Sequence, residues 1–279
     1  MPKARVAPSI GELERSFEEA WGLETYNPIS DKNESTVFVG LYGLPDFYEL
    51  WRHKGKKWIF WTGSDIRHFK NGYWLDDSEC GAKLNPAPLA DWIQRNCESW
   101  VENEVEYKAL KEIGIESNIC PSFLGDVDEY KISYKQSDRP KVYSSVSGDD
   151  FELYKWNEIM KLADKNQDID FHLYGNTKPF AYLKSETPLK NVFIHGRVSK
   201  EQMNKEIKTT QGALRLLPFE GVSEIIAKSL LWGQWPVSLI EYPHTLKPEN
   251  IELLKLAKEP NHKGREWFLS VVNKFPWVK

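Results

Sequence analysis

Residues 213–237, ALRLLPFEGVSEIIAKSLLWGQWPV, restrict the possible folds more than any other part of the chain. An apolar run stops at Pro218, and the acidic Glu220-Gly221 pair follows. Ser223 opens an amphipathic stretch that closes at Gly233, just before a second apolar segment. The order predicts strand, turn, helix, glycine stop and strand, the repeating unit of a parallel α/β domain. The turn sets a carboxylate, a glycine and a hydroxyl at a helix N-terminus. Unsatisfied backbone N–H groups and the helix dipole favour a phosphate there.

The remaining pattern extends this unit in both directions. Apolar spacing predicts a helix over 10–21, strands over 36–41 and 57–62, and a helix from 46 to 55 between them. Further helices are expected at 89–95 and 103–114, with short strands at 99–101 and 119–124. Such a β-α-β-α-β succession implies a parallel sheet. Residues 125–140 are polar, end in proline and read as a linker. A second half follows, with strands at 141–146, 171–174 and 192–195. Its helices are expected at 151–163 (Asp150 as N-cap), 200–208, 248–257 and 265–272. The domains are accordingly drawn at 1–136 and 137–279, with the last helix returning to the first.

Charge and composition exclude several function classes. Lys and Arg number 37 against 41 Asp and Glu, a net charge of −4 with no block of one sign. That balance argues against a nucleic-acid partner. Cys80, Cys97 and Cys120 are odd in number and lack metal-ligand spacing, which fits a reducing, cytoplasmic setting. The charged N-terminus has no signal-peptide core, and no apolar run approaches the roughly 20 residues of a membrane helix. Two D-x-D triplets, Asp126/Asp128 and Asp168/Asp170, lie in the linker and at the entering end of a strand, so no metal site is expected. Dinucleotide, Walker, nucleophile-elbow and zinc-protease motifs are absent. Twelve tryptophans fit either core packing or stacking on sugar faces.

Four blocks in order, KVYSSVSGDD, FHLYGN, VFIHGRVSKEQM and PFEGVSEIIAKSLLWGQWPV, resemble the nucleotide-sugar-binding domain of GT-B glycosyltransferases. The likeness is greatest to the retaining group 1, family 4-like branch. It implies two Rossmann-like α/β domains facing a cleft. The first is expected to be reduced, because no opening strand or glycine-rich loop is recognisable before Thr36.

Ligands of open α/β sheets bind beyond the carboxyl ends of the strands, where Ser147 and Gly148 fall. The resemblance sets Arg197 and Val198 beside the nucleobase. Glu220 inherits a contact to hydroxyls of the donor sugar, and Gly221, Val222 and Ser223 offer N–H groups to sugar or phosphate. Arg215, inside its strand, needs an anion such as a diphosphate or Glu220. In the first half, FWTGSDIRHF resembles a cleft-facing strand end. Gly63, Ser64 and Gly43 are acceptor-side candidates. Asp65 is a candidate base and His68 an acceptor contact, although Ser64-Asp65 also suits a plain helix cap.

One position departs from the family. Its second glutamate, which holds the ribose, falls on Lys228, which cannot accept a hydrogen bond. Glu224 lies one turn earlier. Lys228 on the diphosphate with Glu224 on the ribose is one arrangement; weakened donor binding is another; a solvated i,i+4 pair is the third. The implied activity is metal-independent, retaining transfer of a hexose from a nucleotide diphosphate sugar to a hydroxyl on a glycan, lipid or protein. The donor is a substrate, and no cofactor is expected. The alternatives are a nucleotide-sugar epimerase of the same fold and a non-catalytic glycosyltransferase-like binding or scaffold subunit.

Overall fold

The computed structural model describes residues 1–72, 84–146, 154–175 and 189–278. Contacts divide the chain into two units. The first contains Met1–Asp126, Phe219–Val222 and Val271–Lys279; the second contains Val127–Pro218 and Ser223–Ser270.

Among the described residues, the first unit begins with β1 (Lys3–Val6), α1 (Glu14–Trp21), β2 (Glu24–Thr25), β3 (Thr36–Val39) and α2 (Leu44–Arg52). It continues with β4 (Lys57–Phe60), α3 (Ser64–Lys70), α4 (Ala87–Asn96), β5 (Glu98–Val101), α5 (Glu104–Lys111) and β6 (Ser117–Ile119). The six strands form one sheet in the order β2-β1-β3-β4-β5-β6, and every pairing is parallel. Residues alternate between two apolar layers. Phe38, Ile59 and Trp61 pack on one face with Leu50, Ile66, Phe69 and Leu110. Val37, Val39, Trp58 and Phe60 pack on the other with Trp21, Phe275 and Trp277. Burial on both faces is what a parallel sheet requires. Trp21, Phe60, Phe275 and Trp277 touch at ring-centroid distances of 4.7–5.8 Å, so the chain's last residues complete the first unit's core.

Strand β1 corrects the expectation that nothing opens the sheet before Thr36. Its Ala4 and Val6 are buried, while Lys3 and Arg5 pair with Glu24 and Asp46. Residues 120–124, expected as strand, lie beyond the end of β6.

The second unit contains β7 (Lys141–Ser145), α6 (Trp156–Lys165), β8 (Asp170–Tyr174), β9 (Val192–Gly196), α7 (Lys200–Ile207) and β10 (Gly212–Arg215). Then follow α8 (Glu224–Leu231), β11 (Val237–Ser238), a 3-10 segment (Pro248–Lys255) and α9 (His262–Val271). Its strands, again all parallel, run β11-β10-β7-β8-β9. Every residue of α8 from Ile225 to Leu231 is buried, which makes it the central helix of its layer.

Two expectations shift here. Helix α6 starts at Trp156, after Lys155, and the proposed cap Asp150 lies outside the described residues. Residues 127–140 do not behave as a free linker. The N–H groups of Ser133 and Tyr134 donate to the Trp232 carbonyl, and the Tyr134 hydroxyl donates to Ala257 O. Asp168 and Asp170 of the second D-x-D pair with Lys255 and Arg139. No helix among the described residues is long and apolar enough to cross a membrane.

Candidate functional site

Helix α5 begins where β5 ends, and Asn103 is the hinge between them. Its side-chain oxygen accepts from Val105 N and Glu106 N, the usual satisfaction of a helix's first donors. Its amide nitrogen points elsewhere and donates to the Glu220 carbonyl at 2.7 Å. Glu102, on the other side of the cap, holds the same turn. Oε2 accepts the Val222 N–H at 2.9 Å, while Oε1 accepts the N–H of Ser122 at 3.0 Å and its hydroxyl at 2.5 Å. Glu106 accepts the Glu102 N–H through Oε2 at 2.9 Å, and its Oε1 is buried without a partner.

Two glycines permit this packing. A Cβ on Gly221 would lie 1.8 Å from Glu102 Oε2. One on Gly63, whose φ is +84°, would lie 2.8 Å from Glu106 Oε1 and 3.1 Å from Gly221 N. The first clash is against a carboxylate fixed by three donors, so only glycine fits as the turn stands. Gly63 is excluded twice, by space and by its left-handed backbone.

Asp65 is completely buried at the start of α3. Its carboxylate accepts from Leu41 N, Thr62 N and Ile66 N at 2.9–3.0 Å, and so ties the turn after β3 to the turn after β4. Burial pushes its carboxyl up to about 6 against the pull of those donors. Burial likewise pushes Glu102 up to about 7, and it holds Glu106 well above the carboxylate range, with Glu102's charge adding to the effect. Ser64 donates to or accepts from the Tyr42 hydroxyl at 2.8 Å, and the exposed His68 lies against the Tyr42 ring at 5.9 Å. Gly43 precedes α2 with an extended φ of −166°, its N–H turned to Asp46.

The expected donor-side residues of the second unit have the following partners. Arg215 is half-buried, donates to Ser145 O at 3.1 Å and lies over the Tyr154 ring at 4.5 Å. Lys228 is fully buried, with Nζ 2.8 Å from Glu224 Oε1 and 2.9 Å from Asn204 Oδ1. The i,i+4 pair therefore exists, but its lysine end is not solvated. Burial holds the Lys228 ammonium below its ordinary value, against the pull of Glu224. Glu224 remains half exposed and also meets Lys200 at 3.3 Å. Ser223 precedes α8 without a side-chain cap bond. Arg197 is exposed and Val198 half-buried, just after β9. Ser147 and Gly148 lie outside the described residues.

The structure thus gathers Gly63, Asp65, Glu220, Gly221 and Val222 within the first unit. It commits the Val222 N–H, expected to be open to a ligand, to Glu102. Glu102, Asn103, Glu106 and Ser122 were not anticipated. One sign was available: Glu106 stands three and four residues before the buried Ala109 and Leu110, on the inward face of α5.

Compared as a sequence, the chain matches no protein-family model and no curated protein. Compared as a structure, it is similar to several glycosyltransferases. A mutant of TarM from S. aureus, crystallised with fondaparinux, alpha-GlcNAc-glycerol and UDP, aligns at TM-score 0.58 and 14% identity over 86% of this chain and 53% of that one. The lipopolysaccharide outer core galactosyltransferase WaaB, in its apo form, aligns at TM-score 0.59 and 10% identity, covering 96% and 79% of the two chains. Sucrose-phosphate synthase from Thermosynechococcus elongatus aligns at TM-score 0.57 and 10% identity, covering 95% and 73%. The chain spans about half the length of TarM. At these identities the likeness establishes architecture: the chain has the two-domain α/β fold of GT-B glycosyltransferases.

Proposed function

We propose that the protein transfers a hexose from a nucleotide diphosphate sugar to a hydroxyl acceptor, with retention and without a metal. The observation that carries this reading is the Glu220-Gly221 turn, fixed by Glu102 and Asn103, in a fold shared with glycosyltransferases such as the UDP-bound TarM. In this reading Glu220 receives hydroxyls of the donor sugar. Arg215 and the N-terminus of α8 offset the charge of the departing diphosphate, as preorganised donors do where charge develops. Glu224, half exposed at the first position of α8, is the acceptor left for the ribose. Lys228 enters as its positioning partner and not as a phosphate ligand, because its ammonium is enclosed by Asn204 and Glu224.

A non-catalytic binding or scaffold subunit is the second reading, favoured by the engagement of Lys228 and of the Val222 N–H. Thermal-shift titration with UDP-, GDP- and ADP-sugars, with and without EDTA, separates the two. A ligand at about 100 times its Kd stabilises the native state by roughly 2.7 kcal/mol. Stabilisation by one nucleotide class, followed by slow donor hydrolysis, is the expected result. No shift with any nucleotide rejects the transferase reading, and loss of activity in EDTA rejects metal independence.

A further inference from the structure

The first unit buries two carboxyl groups, Glu102 and Glu106, at the turns of Gly221 and Gly63, and a third, Asp65, two residues beyond Gly63. Burying an ion without a counter-ion is costly, and a neutral asparagine or serine would close a turn at less expense. The arrangement therefore needs a reason, and the hydrogen bonds supply it. Glu102 accepts from three donors, two at Ser122 and one at Val222. Glu106 has one backbone donor and one oxygen with no partner. Donors favour the charged form, so as pH rises Glu102 is the member of the pair that ionises first and Glu106 the one that keeps the proton. A charged acceptor makes bonds about twice as strong as a neutral one. Glu102 is thereby a rigid post. Ser122 fixes it from one side, and it fixes Val222 on the other.

We propose that Glu102 is a positioning residue which, together with Asn103, sets the backbone of residues 220–222 and so the direction in which Glu220 is presented. The two contacts bracket Glu220: Asn103 takes its carbonyl at 2.7 Å, and Glu102 takes the N–H two residues on at 2.9 Å. Gly221, between them, lies so close to Glu102 Oε2 that a methyl group could not intervene. From below, Gly63 allows the same backbone to approach, and Glu106 braces Glu102 through its N–H. The charged and titratable groups around the post are Glu106 on α5, Asp65 on α3 and Glu220 itself. Glu102 touches no reacting atom in this scheme; it acts through the turn. Its consequence for ligand binding rests on the reading of Glu220 as a donor-sugar contact.

The test compares wild type with Glu102→Gln and Asn103→Ala in two measurements. The first is hydrogen exchange at the Val222 amide, referred to the global stability of each variant. Glutamine keeps the shape of Glu102 but weakens the acceptor, so Val222 is expected to exchange about tenfold faster while core amides of β3 and β4 do not change in proportion. The second is calorimetric binding of UDP and of UDP-glucose. Glu102→Gln and Asn103→Ala are expected to weaken UDP-glucose about tenfold and UDP less than twofold. A general loss of structure would weaken both ligands alike. Unchanged Val222 exchange in Glu102→Gln, or an equal loss for UDP and UDP-glucose, overturns the proposal. If wild type binds neither ligand, the donor reading fails by itself, and the amide exchange still decides whether Glu102 holds the turn.

Discussion

Both units bury charge, and they do so in opposite ways. In the second, Lys228 meets a carboxylate and an amide oxygen inside α8's surroundings, so the enclosed ammonium is compensated. In the first, Asp65, Glu102 and Glu106 share one interior with backbone N–H groups as their main relief. Opposite charges at contact distance satisfy each other wherever they are placed. Carboxyl groups crowded in an interior are relieved by a retained proton and by backbone donors aimed at them, and those donors then become fixed. The first arrangement anchors side chains, whereas the second anchors main chain. That difference assigns α8 mainly a packing role at Lys228 and assigns the 219–222 turn a geometric one.

The largest expected effect attacks the compensated side. Lys228→Ala leaves a cavity where a fully buried side chain was, while Glu224 keeps Lys200 and solvent, with an expected loss of about 2–5 kcal/mol in urea unfolding. Lys228→Met, similar in shape and without charge, is expected to be close to neutral. If methionine costs as much as alanine, the lysine is more than half of a satisfied pair.

Next in size is the pH response of the uncompensated side. Glu102 rises from an ordinary 4.5 to about 7, and Asp65 from 3.8 to about 6. Because the folded pKa exceeds the unfolded one, the folded state holds the extra protons. The contribution of these two groups to stability is therefore full below about pH 4, falls as pH rises through 6 and 7, and levels off above. For Glu102 alone the difference between pH 4 and pH 8 amounts to roughly 2–3 kcal/mol. Burial also holds His172 at about 4, which adds stability as pH rises through part of the same range. The measurement is therefore the difference in chemical denaturation between wild type and Glu102→Gln; a difference that does not shift against wild type between pH 5 and 8 would contradict the picture of uncompensated burial.

The smallest effect sharpens the comparison within the acidic cluster. Glu106→Gln removes a carboxyl whose ionisation at high pH would oppose that of Glu102, but keeps an acceptor for Glu102 N. We expect a gain of about 1 kcal/mol at pH 8 and a shallower pH slope, because Glu102 then ionises with less opposition. A loss of stability at pH 8 would mean that the Glu106 carboxyl makes a favourable contact that the amide does not replace and that it does not oppose Glu102.

Much of the architecture was legible because both faces of each sheet are apolar, as in WIF of β4 and FHLY of β8. Strand β1 was not, because KARV has charges at every second place and reads as a solvated chain start. Its charges are satisfied by Glu24 and Asp46, which only the folded sheet brings near. The acidic cluster was hidden for a related reason. Asn103-Glu104-Val105-Glu106 looks like an ordinary capped helix start with carboxylates toward the dipole. Glu104 is exposed and Glu106 buried, a distinction set by α5's rotation on the sheet and not by residue type. Lys228 was recognised as a departure, and only its burial reveals where its charge is spent.

The first unit is assembled from three separated stretches of chain, with Phe219–Val222 arriving between β10 and α8 and Phe275 and Trp277 arriving at the end. No single cut can therefore divide the protein into two self-sufficient pieces. A fragment ending at residue 126 would lack the aromatic wedge of its own core, and its acidic interior would face no Val222 amide. Exchanging the stretch 1–126 for another therefore also means redesigning residues 219–222 and 271–278, which complete its core.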